Sequence, residues 1–276
     1  KIVELESKNL NLFKEKFLPN LILEKIKFSS KNQFSFNLDK NFKIKNKYLS
    51  SDIDIKEFEI TNNFEIKDFF PEINNKITVK NNNIKIELIK KNFTIEGKGE
   101  IFLQNNKDFI NYKIEKKDQF INFDGLVRLD KDPFFISFLN FKKNPNFETK
   151  IKFNGYIDST KKFFLNSIKL NENENIIEVS NIQFSSKLKI KSIDSFYGNY
   201  IDIQDQKNIF NIKKNKKKYV INGDSFNVES LLENILFSDE KKDHFDDDFE
   251  LILNIKNIYL DKEFTLKNLS GNLVFK

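Results

Sequence analysis

The chain has one histidine, His244, standing in an acidic run, Asp239-Glu240-Lys241-Lys242-Asp243-His244-Phe245-Asp246-Asp247-Asp248. Carboxylates at this density offer oxygen ligands to a hard divalent cation, and an imidazole offers proton transfer or a metal nitrogen. The spacing serves neither use. A helix-flanked calcium loop carries a central Gly and a terminal Glu, both missing here, and one histidine in a chain without cysteine is a poor start on a zinc site. The run reads as an exposed acidic loop, with weak calcium binding as the alternative.

The second concentration of charge is Lys213, Lys214, Lys216, Lys217 and Lys218. Its plain reading is a solvated hairpin turn; contact with anionic lipid headgroups or with nucleic acid are the other chemistries open to it. The remaining positive charge is nearly all Lys, dispersed among Asn, Glu and Asp, without the arginine clusters and aromatic platforms of a nucleic-acid module. The net charge of +6 therefore describes a Lys-rich surface, and no nucleic-acid partner is expected. Carboxylates are plentiful, yet no pair sits in a context that would raise a pKa for acid work. There is no glycine-rich phosphate loop, no nucleophile elbow and no serine in a recognisable context with His244. The expectation is a non-enzyme with no catalytic residue, no metal and no cofactor.

What recurs instead is the apolar strand face. The 276 residues include 32 Phe and 7 Tyr but no Trp, Met or Cys, and the apolar share of 39% lies below the roughly 45–50% of average domains. Phe and Ile in short alternating runs favour strands. Phe34, Phe36 and Leu38 line one face of a strand; Ile53 and Ile55 share one parity while Phe58 and Ile60 share the other, so a bulge or tight turn near Lys56-Glu57 must reset the register. Gly97 and Gly99 suggest a kink or small hairpin, and Asp124-Gly125 predicts a turn. The cleanest middle strand puts Phe147, Thr149, Ile151 and Phe153 on one side and Glu148, Lys150, Lys152 and Asn154 on the other. The most apolar run, Phe134 to Leu139, falls far short of the about 20 residues of a membrane helix. A start at Lys1 without Met marks a processed product or a piece of a longer chain. No Pro-, Gly- or Ser-rich linker divides the chain, so 1–218 reads as one extended meander and 219–276 as a unit continuing its sheet.

That last unit combines the most signals. Tyr219-Val220-Ile221 leads to Asn222-Gly223-Asp224, where Gly223 permits a left-handed turn. Asn227 suits a helix N-cap with Glu229 in the first turn, and Val228, Leu231, Leu232, Ile235 and Leu236 follow helical spacing. Such a short helix must lie on a sheet to be stable. Phe249, Leu251, Leu253 and Ile255 then alternate, and Ile258 and Leu260 pair through Asp261-Lys262 with Phe264 and Leu266 before Leu269, Gly271, Leu273 and Phe275. The residues allow either ordinary β core or a groove wall whose apolar face touches lipid.

The segments Asn222-Gly223-Asp224-Ser225-Phe226-Asn227 with Leu231-Leu232, Phe249 to Ile255, and Leu266 to Leu273 resemble the AsmA-like envelope proteins, in particular their large YhdP-type branch. The resemblance covers the final fifth of the chain. It implies an all-β fold: a long, curved, twisted antiparallel sheet forming an open hydrophobic groove, with one short amphipathic helix near the C-terminus. It also implies a place in the bacterial periplasm, anchored to the inner membrane by a segment outside this chain, and phospholipids as cargo moving between inner and outer membranes. On that reading Gly223, Asp224, Phe226, Leu231, Leu232, Leu269 and Gly271 are structural. The groove lining would be Phe147, Ile151, Phe153, Phe249, Leu251, Leu253, Ile255, Phe264, Leu266, Leu273 and Phe275. The alternative is a non-catalytic β scaffold of the envelope whose apolar faces are simply buried.

Overall fold

The structure, a computed structural model, describes residues 2–6, 22–61, 67–160, 162–184, 190–230 and 249–275. It is 73% strand: 17 strands, 15 of them side by side in a mostly antiparallel sheet and two in a separate hairpin, with almost no helix among the described residues. The chain folds as two compact units, 1–132 with 156–159, and 133–155 with 160–276.

The first unit holds β1 (Val3–Glu6), β2 (Ile22–Leu38), β3 (Ile44–Thr61), β4 (Lys76–Ile89), β5 (Asn92–Phe102), β6 (Asp108–Lys117) and β7 (Phe120–Leu129), side by side in chain order and each antiparallel to the next. Residues paired across neighbouring strands share a face, so the registers sort the side chains. One row runs Ile53–Ile84–Gly97–Tyr112–Gly125 across β3 to β7, and the row beside it on the same face runs Ser51–Ile86–Ile95–Ile114–Phe123. The opposite face carries Asp52–Lys85–Glu96–Lys113–Asp124, alternating in sign at every step. The predicted reset is a bulge: Phe28 pairs with Ile55 and Lys27 with Glu57, leaving Lys56 over. Ile53, Ile55, Phe58 and Ile60 thereby reach one face. Runs that read as separate short strands merge here, giving β2 17 residues and β3 18.

The second unit begins with a small hairpin, β8 (Phe135–Ile136) and β9 (Phe141–Lys142), joined by a 3-10 turn at Ser137–Leu139. It continues with β10 (Thr149–Ile157, whose last two residues fall in the first unit), β11 (Phe163–Glu172), β12 (Asn175–Phe184), β13 (Ile190–Ile201), β14 (Lys207–Asn215), β15 (Lys218–Asn227), β16 (Phe249–Tyr259) and β17 (Thr265–Phe275). β15 and β16 depart from the expected antiparallel order: they are parallel. A strand can be followed by a parallel neighbour only if the chain crosses back, and the 21-residue connection between Asn227 and Phe249 is long enough for that return. Its start matches the sequence: the Glu229 amide donates to Asn227 Oδ1 at 3.0 Å, as an N-cap requires. Leu231, Leu232, Ile235, Leu236 and the acidic run around His244 lie outside the described residues.

Glycine use corrects two expectations. All seven glycines fall within strands: Gly97, Gly99, Gly125, Gly155, Gly198, Gly223 and Gly271. None that is described has positive φ. β7 runs straight through Asp124-Gly125, and β15 through Asn222-Gly223-Asp224, so neither is a turn. The left-handed positions go to other residues, among them Lys90, Asp118, Asn173 and Lys216, which open the two-residue turns after β4, β6, β11 and β14. The lysine run of residues 213–218 spans the end of β14, that last turn and the start of β15. Asn and Asp tolerate this conformation through local hydrogen bonds, which leaves glycine for places where strands meet closely. At Gly223 a Cβ would lie 2.6 Å from the Ile209 carbonyl oxygen and 2.7 Å from Phe210 Cβ.

Candidate functional site

In the second unit one row crosses seven strands: Leu170–Ile177–Gly198–Phe210–Gly223–Ile255–Leu269. The next row on the same face is Ile168–Val179–Phe196–Ile212–Ile221–Leu253–Gly271. Burial falls along the strands. Ile255 is 1% exposed, Leu253 and Leu251 are half-buried, and Leu273, paired with Leu251, is 48% exposed.

The buried end is covered by the β8–β9 hairpin. Phe141 meets Tyr200 edge-on at 5.9 Å, Phe210 lies 4.1 Å from Phe226 and 5.1 Å from Phe196, and Leu139 and Ile136 are buried beside them. Phe210 sits between Gly198 and Gly223, and in the first unit Tyr112 sits between Gly97 and Gly125, where its ring occupies the space a Gly97 side chain would take. An aromatic flanked by two glycines can lie flat over the strands and still be packed. A polar knot closes this end: Asp202 Oδ2 accepts from Asn208 at 3.1 Å and Asn227 at 2.8 Å, while its Oδ1 accepts the Gln204 and Gln206 amides.

At the other end of these strands, and over most of the first unit's apolar face, large side chains are only half covered. In the first unit Ile55, Ile77 and Leu129 are buried, whereas Ile53, Ile84, Ile86, Leu88, Phe93, Ile95, Ile114 and Phe123 stay partly open. A second layer packed at core density would bury them.

The opposite faces are ionic. Lys25 bridges Glu4 and Glu57 at 3.3 Å each, and Lys80 reaches Glu57 at 3.5 Å, a chain of charges over β1 to β4. The hydrogen bond from Lys25 holds Glu57 below its usual range, and bonds to Glu57 and Glu4 push Lys25 up. In the second unit Lys218 pairs with Glu250 at 2.6 Å, and Asn272 donates to the same carboxylate. A depression of about 350 Å3 lies where the β14–β15 register shifts, Ile209 pairing with Ser225 but Phe210 with Gly223, and is lined by Asn211, Asn222, Asn254 and Lys256 among others; the lipid-facing candidates take no part in it.

The candidates sort as follows. Ile151, Phe153, Leu251, Leu253, Ile255, Leu266 and Leu273 share the apolar side of the second unit, with Ile255 buried and Leu266 and Leu273 exposed. Phe226, Leu269 and Gly271 lie on that side too, and Asp224 on the other, paired with Lys256 at 2.6 Å. Phe147 precedes β10 and is exposed. Phe264 is 63% exposed in the β16–β17 turn, whose Leu260 amide donates to the Phe264 carbonyl as the predicted pairing requires. Phe249 and Phe275 are paired neighbours whose side chains lie outside the described residues.

No family model, curated protein or solved structure matches this chain. Among the described residues no group of three or more His, Cys, Asp or Glu is placed to hold a metal, and no helix is long and apolar enough to cross a membrane. The groove residues expected from the sequence include none of the first unit's apolar face, although Ile84-Lys85-Ile86 and Ile53-Asp54-Ile55 carry the same alternation as Ile151-Lys152-Phe153.

Proposed function

We propose that this chain is a segment of a bridge-like lipid-transfer protein of the bacterial envelope, sheltering phospholipid acyl chains against its apolar sheet faces. The observation that carries the reading is the sorting of faces: charged rows on one side, and on the other Phe, Ile and Leu that remain half-open to solvent. Apolar area removed from water gives about 25 cal/mol per Å2, or about 0.8 kcal/mol per methylene, so acyl chains are favoured on such a surface while headgroups stay solvated at its margin. Many similar side chains in successive rows give many nearly equal positions, and movement along them needs no deep well. Direction would come from an outside source of free energy. The periplasm, with attachment to the inner membrane through parts outside this chain, is the location that goes with this reading.

Lipid extraction from the purified chain, or native mass spectrometry, tests it: copurifying phospholipid is expected, and a protein that stays lipid-free when offered vesicles overturns it. The covered cluster around Phe141, Tyr200 and Phe210 favours a second reading at that end, a buried scaffold core. Single cysteines separate the two in this cysteine-free background. At Phe153 or Leu251, thiol labelling should be fast without lipid and slowed by it; labelling that is slow in both states supports the scaffold.

A further inference from the structure

The β2–β3 hairpin outruns its neighbours. Among the described residues β1 pairs no further along β2 than Phe28, and β4 no further along β3 than Tyr48, while the hairpin continues to the Leu38↔Ile44 pair and a turn at 39–43. At about 3.3 Å per residue the unflanked arms extend roughly 10–13 Å. Asp39 shapes the turn by accepting the amides of Asn41 at 2.8 Å and Lys43 at 3.0 Å.

The side chains of this projection face water. Phe42 is 83% exposed at the turn and Phe34 is 70% exposed, its ring stacked on Phe36 at 6.5 Å; Leu38 and Ile44 are exposed as well. Phe34, Phe36 and Leu38 alternate along β2 on the face that carries Phe28, so the first unit's apolar side continues to the tip. Between residues 36 and 47 stand Lys40, Lys43, Lys45 and Lys47 against the single acid Asp39, a net charge of +3. The next turn adds Lys90 and Lys91, held against the hairpin by the Lys90 amide donating to the Lys47 carbonyl at 2.8 Å.

Large apolar side chains on a projecting tip, ringed by lysines, have the chemistry of an element that enters the interface of an anionic bilayer. Two copies of so positive a tip repel one another, which disfavours the tip as a self-association surface. We propose that the β2–β3 hairpin docks this chain onto an anionic phospholipid surface, with Phe36, Leu38 and Phe42 entering the interface and Lys40, Lys43 and Lys45 meeting the headgroups. The proposal rests on the hairpin and is independent of whether the sheet carries lipid.

The chain has no tryptophan, so a Phe42→Trp variant of the full chain reports from the tip alone. With phosphatidylcholine vesicles containing phosphatidylglycerol its emission should shift to the blue and be quenched by brominated acyl chains; with phosphatidylcholine alone neither should occur. Lys43→Gln with Lys45→Gln should weaken vesicle binding about thirty-fold, and Phe36→Ser with Leu38→Ser should abolish the spectral shift without changing the far-UV circular dichroism. Unchanged emission with either vesicle, equal response to both, or binding that survives loss of the apolar pair overturns the proposal. So does a wild-type dimer that the Phe36/Leu38 variant converts to a monomer, or tight binding to nucleic acid in place of vesicles. Copurified phospholipid separates the two readings: tip variants that keep it but show unaltered vesicle binding refute docking alone, and loss of copurified lipid from the wild type beside intact docking refutes transfer alone.

Discussion

Replacing Gly223 by alanine tests the close strand approach on which the second unit's apolar face depends. The new Cβ would stand 2.6 Å from the Ile209 carbonyl oxygen and 2.7 Å from Phe210 Cβ, where ordinary contacts begin at 3.4 Å. Neither neighbour is the loose end of a side chain, so β14 and β15 must separate, and the Phe210–Phe226 contact at 4.1 Å opens with them. Overpacking of this kind costs about 1–3 kcal/mol, offset by about 0.5–1 kcal/mol for removing a strand glycine. The net loss is about 1–2 kcal/mol. Gly271 is the matched control: it lies in the neighbouring row of the same face, and nothing stands within 4 Å of its would-be Cβ. Gly271→Ala should therefore gain about 0.4–1 kcal/mol. Urea titration by far-UV circular dichroism reads both, and with slopes of about 3 kcal/mol/M the midpoints should move in opposite directions by several tenths of a molar unit. A neutral Gly223→Ala, or two shifts of the same sign, would refute the argument from strand proximity.

Four further outcomes are expected. Tyr200 is fully buried, and among the described residues its hydroxyl has no hydrogen-bond partner, so Tyr200→Phe should stabilise the fold by about 1 kcal/mol in the same urea assay. Burial, with Asp202 adding to it, pushes this phenol far above its usual value of 10.0, so the folded state holds its proton longer than the unfolded one; wild-type stability should be lost as pH rises above about 10, and Tyr200→Phe should flatten that loss. Glu250 is held below its usual 4.5 by the hydrogen bond from Lys218, so its contribution is present above that pH and disappears as pH falls below it; the small deficit of Glu250→Gln at neutral pH should vanish in acid, read by thermal melting. Leu253→Asp should reduce copurified phospholipid several-fold, whereas Asn254→Asp, one residue on and facing the other way, should leave it unchanged; equal losses would count against the proposed lipid-facing side.

The β class was legible because it rests on alternation, a local property. Ile53-Ile55 against Phe58-Ile60 announced a reset, and Lys56 is the residue left over. The hairpin from Ile258 through Asp261 to Leu266 was equally plain, since both strand faces and the turn chemistry lie within a few residues. Glycine misled for a physical reason. Its freedom at positive φ makes Asp124-Gly125 and Gly223 look like turns, but Lys, Asn and Asp occupy those conformations here, and glycine's missing side chain serves strand contact. The parallel step from β15 to β16 was hidden as well. A capped helix after a strand says that the chain leaves the sheet, and only the register says which way it returns. The candidate lining, Phe147 to Phe153 and Phe249 to Phe275, rests on alternation within single strands of the second unit; the first unit's apolar residues become a surface only when the cross-strand rows are aligned.

The parallel step sets the order in which this fold can assemble. Most antiparallel neighbours are joined by short turns, and four of those turns have two residues, so each such pair closes a small loop at little entropic cost. β16 is different, because 21 residues of chain separate it from β15 and that larger loop must close before the two can pair. β16 and β17 can meet early as a local hairpin, but their docking must wait for that larger closure. Until then β15 is an unprotected edge bearing Phe226, Ile221 and a row of free backbone groups. The last pair of strands thus acts as a closing clasp for the second unit, and the interval before it docks is when the β15 edge is open to other chains.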